Sequence, residues 1–177
     1  MLVTVKPCFH WIGYHICSAL LQEGVHVVGI DRMENCLSDE LYMYIGRNSN
    51  FQHFYHIEDK ENHIHHNDGE KTVKYDGKNL IIETDQGGWR ESIDLPQLYG
   101  EWMDIPQTEV ETEREFQQWI QHSEAVYIGD FLESFIPYLL ERGNNRGFSF
   151  APVFDNEKEE KNIHATWKNI HCSKAMD

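Results

Sequence analysis

The sequence predicts an α/β fold with a mostly parallel sheet, and three observations lead to this prediction. A strand, a helix and a second strand follow one another within residues 2–31. The second strand, residues 25–30 (VHVVGI), is a continuous apolar run, which is typical of a parallel strand covered on both faces. Strands and helices alternate again after residue 108. One α/β layer structure is the simplest arrangement for such a chain.

The first three elements form a βαβ unit. Residues 2–5 are an apolar strand, and from Trp11 onward the apolar side chains follow a helical period that places Ile12 and Ile16 on one face. Gly24 is a typical helix end. The crossover between the two strands should be right-handed.

The middle of the chain is less regular. Residues 38–45 predict a helix with Ser38 as its N-cap, and residues 51–57 predict a third strand. Asp76-Gly77, between two β-prone runs, is a strong signal for a β-hairpin. Two other stretches have no strand or helix period: the polar, histidine-rich residues 59–68, and residues 85–106, which we interpret as an ordered loop.

The last part of the chain predicts regular elements. Thr108 or Thr112 can cap a helix that ends near residue 122. The remaining predicted elements are a buried strand at 125–128, a helix at 131–142, a strand at 148–154 and a helix at 156–172. With 177 residues, the chain predicts a single domain, 1–177, with a hairpin and loop inserted at about 68–106.

Composition excludes several classes of function. The formal net charge of −15 disfavours direct binding to nucleic acid, although an acidic decoy of nucleic acid would carry such a charge. No apolar run approaches the roughly 20 residues that cross a bilayer, so we expect no membrane association. The four cysteines have no framework spacing and indicate reduced thiols, and no signal peptide is evident. We therefore expect a cytoplasmic protein.

The turn after the first strand is the place where a dinucleotide-binding protein holds phosphate. Such a turn needs glycines, because backbone N–H groups must approach the pyrophosphate closely. Residues 6–11 (KPCFHW) contain none, and Gly13 alone remains. The acid that accepts hydrogen bonds from the ribose is present as Asp31, at the end of the second strand.

The stretch WIGYHICSALLQEGVHVVGID, residues 11–31, resembles the extended short-chain dehydrogenase/reductase family of NAD-dependent epimerases and dehydratases. This resemblance implies a Rossmann-like three-layer sandwich. FYHIED matches the family's GDIxD stretch, with His56 at the adenine-contacting position, and AVYIGD is similar to its fourth strand. If a dinucleotide is retained, the resemblance implies that NAD or NADP is bound by Ile12, Gly13, Asp31 and Arg32.

The departures from the family pattern decide the predicted function. The turn is two residues longer than the family's, Pro7 removes an N–H, and no Tyr-x-x-x-Lys pair is present. The nearest relic of that pair is His164 with Lys168. We therefore predict no catalytic residues, no cofactor and a non-catalytic regulatory or protein-interaction module. The alternative is an NAD(P)- or nucleotide-sugar-binding sensor, or a weak oxidoreductase or epimerase.

Other residues allow a functional and a structural interpretation. His63, His65 and His66 allow a metal site, but a solvated loop is the commoner outcome, and we predict no metal. Cys8 with His10 allows a nucleophile and base, or an inert packed cysteine, which we favour. Asp130 is interpreted as a helix cap.

Two parts of the sequence are candidates for contact with a partner protein. One group of side chains is either a partner anchor or a small core beneath a loop, and we favour the core: Trp89, Tyr99, Trp102 and Met103. A homodimer is a further option, because family members pair through helices that correspond to residues near 131–142 and 156–172.

Overall fold

The computed structural model describes residues 1–63, 69–84, 88–105, 110–141, 147–151 and 155–174. The chain divides into two compact units, residues 1–95 and 96–177. A single domain over the whole chain stays a prediction. Within the described ranges, no helix is long and apolar enough to cross a membrane.

The first unit is built around a six-stranded sheet in the order β3-β2-β1-β4-β5-β6. Its elements are β1 (Leu2–Lys6), α1 (Trp11–Gln22), β2 (His26–Ile30), α2 (Cys36–Ile45), β3 (Phe51–Phe54), α3 (Ile57–His63), β4 (Lys71–Tyr75), β5 (Asn79–Thr84) and β6 (Arg90–Asp94). Strands β3, β2, β1 and β4 are parallel, in the order of a doubly wound sheet, whereas β5 and β6 are antiparallel. The predicted α/β class with a mostly parallel sheet is confirmed.

The predicted βαβ unit is present at the centre of this sheet. Val3 and Val5 of β1 are fully buried, and they are paired with Val27 and Gly29 of β2. Helix α1 buries the predicted apolar stripe and ends just before Gly24, which has a φ of 72°. Positive φ is easily adopted by glycine, so Gly24 is a suitable end for the helix.

Helix α2 begins earlier than predicted. Its N-cap is Asn35, whose Oδ1 accepts the Ser38 N–H at 2.8 Å, so the prediction of Ser38 as the cap was wrong. Asn is as good a cap as Ser, and it lies one turn earlier.

The predicted hairpin forms between β4 and β5. Gly77 lies in its turn with a φ of 103°, and the Asp76 carboxylate accepts the Asn79 N–H at 2.7 Å. Strand β4 also pairs in parallel with β1, which places the hairpin in the central sheet. The residues that resemble the family's fourth strand, 125–130, belong to the second unit, where Val126 and Tyr127 pair with Leu98 and Tyr99.

Two irregular stretches contain elements that the sequence analysis missed. Residues 57–63 (IEDKENH) form α3, whose first turn contains Glu58 and Asp59 near the positive end of the helix. Residues 90–94 form β6, and residues 98–99 form a strand of the second unit, so an ordered loop at 85–106 was wrong in part. These strands depend on pairing with distant residues rather than on a local pattern.

The second unit consists of β7 (Leu98–Tyr99), α4 (Glu113–Ser123), β8 (Val126–Tyr127), α5 (Ile128–Leu140) and α6 (Asn156–Lys174). Strands β7 and β8 form a separate parallel pair. Thr112 caps α4 as predicted, in a capping box with Glu115. Residues 148–151 are not a strand, and residues 152–154 lie outside the described part.

Aromatic side chains form the core of the second unit. The Tyr99 ring lies 6.1 Å from that of Phe116, which in turn lies 5.8 Å from Trp167 of α6. Tyr99 and Met103 are buried, in agreement with the core interpretation for these two, whereas Trp89 belongs to the first unit.

Candidate functional site

A cleft of about 450 Å³ opens at the carboxyl ends of β1, β2 and β3. Open parallel sheets bind ligands at this edge. The polar side chains that line the cleft are Lys6, Asp31, Arg32, Glu34, Tyr55, His56 and Glu58. The sequence analysis singled out Asp31, Arg32 and His56 among them. Lys6 and Tyr55 were missed, although each stands at or just after the end of a strand, which is the signal that could have identified them.

The Asp31 carboxylate is bonded to the backbone of the chain itself. Its Oδ2 accepts the Phe9 N–H at 2.9 Å, and its Oδ1 accepts the Met33 N–H at 3.0 Å. Met33 has a φ of 54°, which is uncommon for a residue other than glycine. The hydrogen bonds of Asp31 therefore connect the turn after β1 to the loop after β2.

Other N–H groups of the turn are also engaged within the protein. The Cys8 N–H donates to the Ile30 carbonyl at 3.2 Å. The Ile12 N–H donates to Nδ1 of His10, the N-cap of α1, at 3.3 Å. Pro7 has no N–H. Together with the Phe9 N–H on Asp31, these bonds engage three of the donors that a phosphate group could use near this helix start.

Side chains of the turn fill the space around it. Phe9 is 2% exposed, and its ring lies 5.1 Å from His53 and 6.2 Å from Phe51, both on β3. The His10 ring lies 4.7 Å from that of Tyr75, at the end of β4. His10 therefore lies between the ends of β1 and β4, where the strand order reverses and doubly wound folds bind their ligands.

The predicted residues Ile12 and Gly13 lie at the start of α1. Ile12 is buried, at 4% exposure. Gly13 is so close to the preceding turn that a Cβ at this position would lie 1.9 Å from the Pro7 carbonyl oxygen. Gly13 thus permits the close approach of helix and turn.

Arg32 extends to the surface beside the cleft. Its Nη1 lies 3.6 Å from Oε1 of Glu34, and both side chains are about two-thirds exposed or more, at 67% and 72%. Exposed pairs of this kind contribute about 0–1 kcal/mol. Arg32 can therefore leave Glu34 at little cost and bind an anion.

The thiol of Cys8 is not activated. Cys8 is fully buried, and burial, followed by the nearby Cys17 and Asp31, raises its pKa far above the ordinary range. His10 uses Nδ1 for the helix cap. The geometry agrees with the inert interpretation of Cys8.

This environment predicts selective labelling of cysteines. In the native protein we expect a maleimide to modify the exposed Cys36 and to leave the buried Cys8 and Cys17 unmodified until urea unfolds the chain. Peptide mass mapping after timed labelling measures each site, and Cys36→Ser provides the control. Labelling of Cys8 as fast as Cys36 would contradict a buried, protonated thiol.

The other candidate residues that the structure describes are not brought together into a site. His63 is the last residue of α3, and its Nδ1 lies 2.7 Å from the Asp59 carbonyl, whereas His65 and His66 lie outside the described residues. Among the described residues, no three potential ligands form a metal site. His164, on the surface of α6, lies 3.0 Å from Glu113.

Asp130 does not cap a helix that starts at Phe131, as the sequence predicted. Helix α5 begins at Ile128, so Asp130 lies in its first turn and pairs with Lys158 at 2.6 Å. A carboxylate in the first turn still complements the helix dipole.

Comparison with known proteins gives two similarities. No model of a known protein family matches the chain. The chain is 24% identical over 184 residues to the "Uncharacterized protein YjaV" of Bacillus subtilis (strain 168), which covers 92% of this chain and 91% of that protein. A solved structure of a mutant UDP-glucuronic acid 4-epimerase from Bacillus cereus, in complex with UDP-4-deoxy-4-fluoro-glucuronic acid and NAD, is 33% identical over 32% of this chain, with a TM-score of 0.30. The matched part spans only 19% of the epimerase.

Proposed function

We propose that this chain is a non-catalytic, Rossmann-like protein, distantly related to the NAD-dependent epimerases and dehydratases, that acts by binding another protein. The observation that carries the proposal is that the turn after β1, residues 6–11, is closed by contacts within the protein. Asp31 accepts two backbone N–H groups, and His10 lies across the ends of β1 and β4. A cytoplasmic location is part of the proposal.

The energy needed to open the turn supports this proposal. A dinucleotide in the family's position needs the Asp31 carboxylate for its ribose and the turn's N–H groups for its phosphates. A hydrogen bond to a charged group contributes about 1.5–3 kcal/mol, and exposing a buried Phe costs about as much again. Moving Asp31 and Phe9 would therefore remove much of the binding energy of the ligand.

Exposed aromatic and methionine side chains of the first unit support a protein partner. Tyr42, Met43 and Tyr44 of α2 are 38%, 65% and 60% exposed, and Tyr55, after β3, is 55% exposed. Tyr and Met are enriched at protein interfaces, where Tyr supplies a large apolar area together with a polar hydroxyl. These residues are our candidates for partner contact.

The alternative function is a sensor of NAD(P) or a nucleotide-sugar, and the cleft favours it. Its volume of about 450 Å³ falls within the range of small-molecule sites. Lys6 and Arg32 provide positive charge for a pyrophosphate. In this alternative, the ligand would lie outside the closed turn.

Calorimetric titration with NAD⁺, NADPH and UDP-glucose separates the two functions. We expect no binding heat at about 1 mM ligand, because the Cys8, Phe9 and Ile12 N–H groups already form hydrogen bonds within the protein. Micromolar binding that Arg32→Ala abolishes would overturn the proposal and establish the sensor. Arg47→Ala is the matched control, since Arg47 is exposed after α2 and does not line the cleft. Circular dichroism confirms that each variant is folded.

A further inference from the structure

The β6 edge, residues 90–94 (RESID), is the end of the central sheet opposite to β3. Strand β6 pairs with β5, and the described residues add no strand on its other side. An open edge presents backbone donors and acceptors to any strand that can approach it. Which strand can pair with this edge depends on two things. These are the residues whose backbone N–H and C=O groups point away from β5, and the charges of their side chains.

The hydrogen bonds at both ends of β6 show which of its residues direct their backbone N–H and C=O groups away from β5. The Thr84 N–H donates to the Trp89 carbonyl at 2.9 Å, and the Leu95 N–H donates to the Lys78 carbonyl at 3.3 Å. Backbone groups alternate along an antiparallel strand, so the odd-numbered residues between Trp89 and Leu95 also face β5. The outward N–H and C=O groups are therefore those of Arg90, Ser92 and Asp94.

These three residues are also the exposed residues of β6. The Arg90 side chain is 68% exposed, and its Nε lies 3.4 Å from Glu83 on β5. Side chains of alternate residues share one face of a sheet, so Arg90, Ser92 and Asp94 project on the same side. A positive charge thus stands at one end of the edge and a negative charge at the other.

We propose that the β6 edge binds the β6 edge of a second copy of this chain, antiparallel and centred on Ser92. In this register Ser92 is opposite its own copy, and each Arg90 is opposite Asp94 of the other chain. Each of these three opposed pairs joins residues whose backbone N–H and C=O groups point away from β5. Each such pair therefore exchanges two hydrogen bonds. The two sheets then form one continuous sheet with a two-fold axis.

The charges of β6 favour a second copy of this chain as the partner that binds this edge. Charged residues on an edge commonly prevent pairing between copies, because like charges meet. Here the antiparallel register brings opposite charges together twice, and opposite charges on cross-strand neighbours stabilise a sheet. The surface of this dimer is distinct from the helices through which the resembled family pairs.

Sedimentation velocity over about 1 μM to about 1 mM protein tests the dimer, since a small interface associates in this range. We expect the wild type to shift from monomer to dimer across the series. Arg90→Asp alone, and Asp94→Arg alone, place like charges opposite each other and should remove the dimer. An equimolar mixture of the two variants restores opposite charges between unlike chains, so we expect a heterodimer to form.

Two further variants keep this test decisive. Ser92→Pro removes an outward N–H and leaves the bonds between β5 and β6 intact, so it should abolish dimerisation in a folded protein. Arg47→Asp makes the same charge change as Arg90→Asp away from the edge, and we expect it to leave the dimer unchanged. A wild type that stays monomeric up to about 1 mM, or a dimer that persists in all three edge variants, would overturn the proposal. Neither result depends on whether the cleft binds a nucleotide.

Discussion

Gly13→Ala is expected to lower the free energy of unfolding by about 3 kcal/mol or more, or to prevent soluble expression. The added Cβ would lie 1.9 Å from the Pro7 carbonyl oxygen and 3.2 Å from the Cys8 Cα. These are backbone atoms, which cannot rotate away, so α1 would have to move off the turn. Helix propensity alone predicts a gain of about 1 kcal/mol for Ala over Gly, and the packing effect should outweigh it.

Gly88→Ala is the matched control for this substitution. Among the residues that the structure describes, a Cβ at Gly88 meets only the Thr84 hydroxyl, at the ordinary contact distance of 3.6 Å. We expect its stability to change by no more than about 1 kcal/mol. Urea unfolding followed by circular dichroism measures both variants. A Gly13→Ala protein as stable as the wild type would show that α1 does not approach the turn as closely as described.

Lys60→Met is expected to lower the free energy of unfolding by about 3–5 kcal/mol, because it leaves a buried charge without its partner. Lys60 of α3 is 4% exposed, and it binds Glu70, which is 1% exposed. The Thr4 hydroxyl donates to the same Glu70 oxygen, Oε1, at 2.7 Å, whereas Oε2 has no hydrogen-bond partner within the described ranges. Without Lys60, Glu70 retains one neutral hydrogen bond in an apolar environment.

A second substitution separates the lost charge pair from lost packing. Adding Glu70→Gln to Lys60→Met removes the unpaired charge, and we expect it to recover about half of the loss or more, since the cost is mainly that of a buried, uncompensated ion. Lys161→Met removes an exposed pair with Glu157, at 2.8 Å, and should cost less than about 0.5 kcal/mol. If Lys60→Met costs no more than Lys161→Met, the Lys60–Glu70 pair is hydrated rather than buried.

The local elements of the first unit could be predicted from the sequence. The apolar run of residues 25–30 and the helical period after Trp11 are local signals, and the strand–helix–strand unit follows from them. The hairpin at Asp76-Gly77 was equally clear, because the turn requires a residue that accepts positive φ. Strand β6 was missed because its charged sequence pairs only when β5 is already in place.

By itself, the sequence determined that an acid follows the second strand, that Gly13 is the first glycine after the first strand and that no Tyr-x-x-x-Lys pair exists. These are properties of residue type and spacing. Only the tertiary structure decided that β4 lies beside β1, that Asp31 binds the Phe9 N–H group and that His10 lies against Tyr75. Each of these contacts joins residues whose pairing depends on which strands become neighbours, and no local pattern specifies that choice.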